Sequence, residues 1–217
     1  MDLQSIAIMS SKRAKIYHVI INIFTSLPDE KFLEYMYSSE LLQFLEMQKE
    51  LQYPLISDGV NLITGFLEKH KSAEKPSLLE ALAVDRTKLI RVPSAIGLKA
   101  PYESQYHKEM KTSHSLQRLV GVYRKAGFVP AATHESPDFF CIELDFMRVT
   151  SNRIANEHTE AKTLLGLQKD FLNEHLGAWV GEYVKEAITH AETDFYKGWL
   201  MVLQGVVEVE KIYLQSC

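Results

Sequence analysis

Apolar residues recur along this chain at steps of three and four, in long stretches, and seldom alternate as a half-buried strand requires. Between Leu3 and Phe24, the residues Ile16, Val19, Ile20, Ile23 and Phe24 share one helical face. Leu27-Pro28 ends that helix, because proline lacks a donor and restricts its predecessor. Asp29 is placed to cap a short helix carrying Phe32, Leu33 and Met36. Leu41, Leu42, Phe44, Leu45 and Leu51 predict a third helix, stopped near Tyr53-Pro54, and Leu62 to Leu67 predict a fourth. Ser77 and Glu80 have the spacing of a capping box, so a fifth helix should begin there, carry Leu78, Leu82, Leu89 and Ile90, and end before Pro93.

Val92 to Pro101 reads as a loop, with two prolines and one glycine. Beyond it, Thr112 or Ser113 can cap a helix bearing Leu116, Leu119, Val120 and Tyr123, with Gly127 as its stop. Val129 to Ser136 is a connector, and the seam between two halves is expected there, residues 1–128 and residues 129–217. Ser136-Pro137-Asp138 then combines a capping hydroxyl, a proline suited to the first helical position and an acid suited to the positive end of the dipole. Phe139, Phe140, Ile142, Leu144, Phe146 and Met147 make the following body a core helix. Leu164 to Val184 is helical again, and Phe195, Trp199, Val202, Val206, Val209 and Tyr213 form a single stripe on the last helix, more suited to core than to a ligand pocket. The expected fold is all-α, a single bundle of about ten helices with a connector between two helical halves.

Composition narrows the reading. Ten Gly and seven Pro are few for 217 residues, which favours long helices over a many-stranded fold. Net charge is −4 and the longest basic cluster is Lys12-Arg13-Ala14-Lys15, so nucleic-acid binding, which relies on massed cations, is not expected. Such a surface suits a basic partner. Cys141 and Cys217 cannot frame a disulfide set or a metal site, and Cys141 should be a small buried hydrophobe. The first residues lack a basic stretch and a long apolar run, and no run of 18 apolar residues occurs, so neither a signal peptide nor a membrane span is expected and the chain should be cytoplasmic.

Chemistry is sparse. His158 and His175 each follow Asn-Glu, but neither has zinc-ligand spacing, and solvated helix surface is the expectation for both. Cys141 lacks the electropositive setting of a nucleophile, and no nucleophile elbow surrounds Ser104. No Walker A sequence, dinucleotide-binding glycine triplet or aspartate-rich helix is present. Asp85, Glu103, Glu135 and Asp138 stand apart: each lies at a helix start or beside a proline loop, where a scaffold can hold a side chain that still reaches solvent.

Four segments in order resemble the TorD/DmsD/NarJ family of molybdoenzyme maturation chaperones. They are Asp85-Arg86-Thr87-Lys88-Leu89-Ile90, Pro101-Tyr102-Glu103-Ser104-Gln105-Tyr106, Glu135-Ser136-Pro137-Asp138-Phe139 followed by Leu144-Asp145-Phe146-Met147, and Phe171-Leu172-Asn173-Glu174-His175-Leu176-Gly177-Ala178-Trp179. The hallmark of the family is Glu-x-Pro-Asp-His, and Phe139 stands here in place of its histidine. The resemblance implies an all-helical, TorD-like chaperone, not an enzyme, with no cofactor of its own. Its partner would be the catalytic subunit of a molybdopterin-dependent oxidoreductase, bound through a twin-arginine signal peptide or an equivalent N-terminal tail until the molybdenum cofactor is inserted. Some family members form domain-swapped homodimers through the connector before the hallmark helix. Guanidinium seeks a carboxylate in bidentate geometry, and the apolar stretch after it seeks a groove between helices. The peptide-binding residues expected on that basis are Glu135, Asp138, Asp85 and Glu103 as acids, Tyr102 and Tyr106 as wall, and Pro137 setting the helix mouth. Two other readings stay open: a helical enzyme with a buried acidic site acting on a nucleotide, and a helical transcription regulator.

Overall fold

The computed structural model describes residues 2–106, 113–131 and 135–217. Eleven α-helices and no strand occur among the described residues, in agreement with the all-α expectation. They are α1 (Leu3–Thr25), α2 (Glu30–Met36), α3 (Ser39–Lys49), α4 (Pro54–Lys69), α5 (Lys75–Arg86), α6 (Glu103–Tyr106), α7 (Ser113–Lys125), α8 (Phe140–Asn156), α9 (Ala161–Glu174), α10 (Leu176–His190) and α11 (Asp194–Ser216). No helix among them is long and apolar enough to cross a membrane.

The boundaries follow local chemistry in most places. Asp29 caps α2 by accepting from Phe32 N at 2.8 Å. Gly127, at φ +64°, takes the left-handed conformation that ends α7, and Phe128 N then donates to Tyr123 O at 2.8 Å. Three starts differ from expectation. Pro54 opens α4 rather than only stopping α3, because a first-turn proline has no N–H to orphan. Pro76 does the same for α5, which begins at Lys75; Ser77 therefore sits inside the first turn and is not the cap. Ser136 is not the cap of α8, which begins at Phe140 with Phe139 before it. The Ser136–Phe139 segment is instead a turn closed by Phe139 N donating to Ser136 O at 3.0 Å. Thr112 lies outside the described residues, as do residues 132–134 of the connector.

Two compact units share the chain, and neither is continuous in sequence. Unit 1 comprises Met1–Ile23, Pro101–Gly181 and Glu210–Cys217; unit 2 comprises Phe24–Ala100 and Glu182–Val209. The expected seam at Val129 to Ser136 falls within unit 1.

Unit 1 is built around α8, whose Phe140, Leu144, Phe146 and Met147 are all buried. Phe146 packs against Phe171 of α9 with ring centroids 4.3 Å apart and against Tyr123 of α7 at 5.3 Å. A buried polar network crosses the same unit. Arg13 donates to both carboxylate oxygens of Glu210 and to Gln168 Oε1, at 2.6 to 2.9 Å. Tyr17 Oη also donates to Glu210, at 2.7 Å, and Gln168 Nε2 reaches Thr150 Oγ1 at 2.7 Å and Ser151 Oγ at 2.9 Å. Arg13 Nη1 has no hydrogen-bond partner among the described residues, and the guanidinium lies over the Tyr213 ring at 4.9 Å from its centroid.

Unit 2 packs α4 directly on its part of α11. A Cβ at Gly59 would stand 2.6 Å from Gly198 O, and one at Gly198 would stand 2.5 Å from Gly59 O, so only glycine permits this approach. The final-helix stripe is core here, with Phe195, Trp199 and Val202 fully buried. Arg86, at the end of α5, donates to Phe24 O at 2.9 Å and Thr25 O at 2.8 Å, which satisfies last-turn carbonyls of α1. A π-helical turn, Thr87–Arg91, follows it.

Candidate functional site

The Pro101–Tyr106 segment is short, yet the side chains of Tyr102, Glu103 and Tyr106 each have a defined partner in unit 1. It is pinned at Phe139, where Tyr102 and Phe139 form an isolated antiparallel bridge and their rings lie 5.5 Å apart. Phe140 N donates to Pro101 O at 3.2 Å, and Tyr123 Oη holds Pro137 O at 2.9 Å. Extended pairing at Phe139 is what delays the start of α8, because a bridged residue cannot take helical dihedrals. Phe139 is thus packing and bridging residue where the family hallmark has an imidazole.

Asp138 caps the neighbouring helix rather than its own. Its Oδ2 accepts from Ser104 N at 3.1 Å and its carbonyl accepts from Glu103 N at 3.0 Å, so it satisfies first-turn donors of α6. Asp138 is 2% exposed and Glu103 is 0% exposed, so the expectation that both reach solvent is corrected: each is used up in fixing α6. Glu103 sits against His175, whose Nδ1 is 3.2 Å from both carboxylate oxygens. A carboxylate only accepts, so Nδ1 is the donor. His175 is 6% exposed, which corrects its assignment to solvated surface, and it stands where α9 breaks before α10, at φ −122° and ψ −107°. The side chain of His158 lies outside what is described.

Glu135 remains half-buried and accepts from Tyr102 Oη; Tyr102 and Pro137 are half-buried as well. Tyr106 is buried and stacks on Trp179, with centroids 5.6 Å apart and planes at 24°. Trp179 Nε1 in turn donates to Glu143 Oε2 at 3.1 Å. Glu143, in the first turn of α8, is fully buried, and its Oε1 has no hydrogen-bond partner among the described residues. Burial, and after it the nearby charge of Glu103, push the Glu143 carboxyl well above the usual carboxylate range; Asp138 adds to this and the Trp179 hydrogen bond opposes it. Burial, then Glu143, Glu103 and Asp138, likewise push Tyr123 well up.

Unit 1 therefore gathers six of the seven residues expected from sequence: Tyr102, Glu103, Tyr106, Glu135, Pro137 and Asp138. Asp85 belongs to unit 2 and is fully buried. Its carboxylate accepts from Glu192 N at 3.0 Å, Thr193 N at 2.8 Å and Thr193 Oγ1 at 2.6 Å, which fixes Thr193, whose Oγ1 accepts from Tyr196 N in the first turn of α11 at 3.3 Å. Its expected reach to solvent is corrected, since α11 begins with donors that would otherwise be orphaned. Two clefts of about 360 and 390 Å³ flank His70 in unit 2, and none of the seven residues lines them. No group of three His, Cys, Asp or Glu able to hold a metal ion occurs among the described residues. Cys141 is buried, as expected. Two members of the cluster were not expected from sequence: His175, which was assigned to the surface, and Glu143, although an acid inside an otherwise apolar run is itself informative.

A family model described as the nitrate reductase delta subunit matches residues 37–185. Comparison with curated proteins and with solved structures gives no match.

Proposed function

The chain belongs to the nitrate reductase delta-subunit family of NarJ/TorD-type molybdoenzyme maturation chaperones, and on that premise we propose that half-buried Glu135, with the buried acids Glu103 and Asp138 adding negative charge beside it, receives the arginine-bearing signal peptide or N-terminal tail of its client. A chaperone of this family serves the maturation of a molybdopterin-dependent catalytic subunit. Binding of the peptide in the cytoplasm would hold that subunit until its molybdenum cofactor is inserted, and release would license export where the client is exported.

One observation carries this reading: Glu103, Glu135 and Asp138 are brought together in unit 1 by a four-residue helix. Asp138 is buried as a cap, whereas Glu135 is half-buried. Glu135 is held by a neutral phenol, Tyr102 Oη, which a guanidinium can replace with a stronger, charge-assisted bond. Tyr102 and Pro137 border it as half-buried wall, whereas Tyr106 acts from within by fixing Trp179. Asp85 contributes by seating α11 rather than by contact. A homodimer swapped through the connector at 129–136 is part of the same proposal.

Calorimetry with a synthetic twin-arginine peptide tests it. Glu135→Gln should weaken binding at least tenfold, and Glu135→Gln/Asp138→Asn more so, with helical content checked by circular dichroism. Equal affinity for wild type and the double variant would remove these acids from the site. Size-exclusion with light scattering reads the swapped dimer.

A further inference from the structure

We propose that Glu143 carries a proton in the free protein and surrenders it to solvent when a guanidinium docks on the acids around α6. The inference rests on the peptide-binding reading above and adds to it a coupled proton.

The geometry is that of one carboxyl too many. Glu103 has both oxygens on His175, and Asp138 is committed to Ser104 N. Glu143 has one oxygen on Trp179 and the other buried without a partner among the described residues. An ionised carboxylate in that position would keep a full charge away from water with a single neutral donor, beside two further acids, and a buried group of this kind neutralises instead. The groups that act on it are Glu103 from α6, Asp138 from the turn before α8, Tyr123 from α7 and Trp179 from α10; His175, at the break between α9 and α10, bonds Glu103, and Tyr106 of α6 stacks on Trp179. Within interacting acids the proton belongs to the group as a whole. Here it resides on Glu143, because that is the acid with an unused buried oxygen. An arriving guanidinium supplies the missing positive charge, and Glu143 then ionises: its O–H bond breaks, the proton passes to buffer, and no other bond changes.

Titration calorimetry of the intact protein with a twin-arginine peptide, in two buffers of equal pH and different ionisation enthalpy, measures protons released. Wild type should release about one proton, and its affinity should rise up to tenfold per pH unit over the window in which Glu143 holds its proton in the free protein. Glu143→Gln should release none and should bind with the low-pH affinity of wild type at every pH. A peptide with both arginines replaced by glutamine should release none either. In wild type, the infrared difference spectrum on binding should lose a protonated-carboxyl C=O band, which keeps the proposal testable if the Gln variant does not fold. Tight binding with no buffer-dependent heat and an unchanged C=O band overturns the coupled proton and leaves peptide binding standing. Equal proton release in Glu143→Gln overturns the assignment to Glu143. Failure of wild type to bind the peptide overturns both.

Discussion

Glu143 is a stability liability as well as part of the cluster. Its carboxyl titrates well above the usual 4.5 in the folded protein, chiefly through burial. The folded state thus keeps a proton that the unfolded state gives up. The stability this contributes is complete below the unfolded value and is lost as pH rises through the folded one. Urea unfolding of wild type should therefore show stability falling as pH climbs upward from the ordinary glutamate range. Glu143→Gln should flatten that slope and raise stability at neutral and alkaline pH relative to wild type, because a buried amide is neutral without having to hold a proton. Asp85, by contrast, stabilises the fold through its hydrogen bonds. Asp85→Ala strips three hydrogen bonds from the start of α11 and should cost about 2–3 kcal/mol by thermal melting, with Asp85→Asn retaining part of it. The sequence made Glu135 and Asp138 visible because an acid ahead of an apolar run is surplus to helix formation. It hid the burial of Asp85 and Glu103, whose partners lie 107 and 72 residues away. Glu143 was masked by the aromatic residues around it.

Elements were legible wherever one local feature decides them, and ambiguous where two compete. Asp29 and Gly127 mark their helix ends unaided. Prolines did not: Pro54 and Pro76 serve equally as stop and as first-turn residue, and the structure uses the second. Leu164 to Val184 has unbroken helical spacing, yet the helix divides at His175, where a contact with Glu103 fixes the break. The bridge from Tyr102 to Phe139, which moves the start of α8, is also non-local. Close packing of α4 on α11 gives a sharp test at this scale. Alanine favours a helix over glycine by about 1 kcal/mol, but at Gly59 or Gly198 its Cβ would press on backbone oxygen at 2.6 or 2.5 Å. Gly59→Ala and Gly198→Ala should each lower stability by about 1–3 kcal/mol despite the propensity gain, as read from denaturant midpoints.

Across the whole molecule, helix-only architecture follows from the spacing of apolar residues, but the grouping of helices into units does not. Periodicity says which face is buried and not which partner buries it. A division into consecutive halves is natural to expect from a connector, whereas unit 1 draws on three separated stretches and unit 2 on two. Arg13 and Glu210 tie the two ends of unit 1 together across 197 residues. Removing either alone, as Arg13→Ala or Glu210→Ala, should cost about 3–5 kcal/mol, because a buried charge is left without its partner. Arg13→Met/Glu210→Leu should cost much less than the two single changes summed, and a double-mutant cycle by urea unfolding measures the difference.

That long separation also sets a timetable during synthesis. Arg13 leaves the ribosome well before the residue that neutralises it, which is 197 positions behind. At ribosomal rates of about 5–20 residues per second, roughly 10–40 s pass before Glu210 exists. Throughout that interval unit 1 lacks the closing strut of its own polar network, and unit 2 lacks Glu182–Val209 until almost the same moment. Neither unit can finish before synthesis has passed Val209 and Glu210. A protein whose work is to guard another during assembly is thus itself born unguarded, with maturation of both its units deferred until Glu182–Val209 and Glu210 have been made.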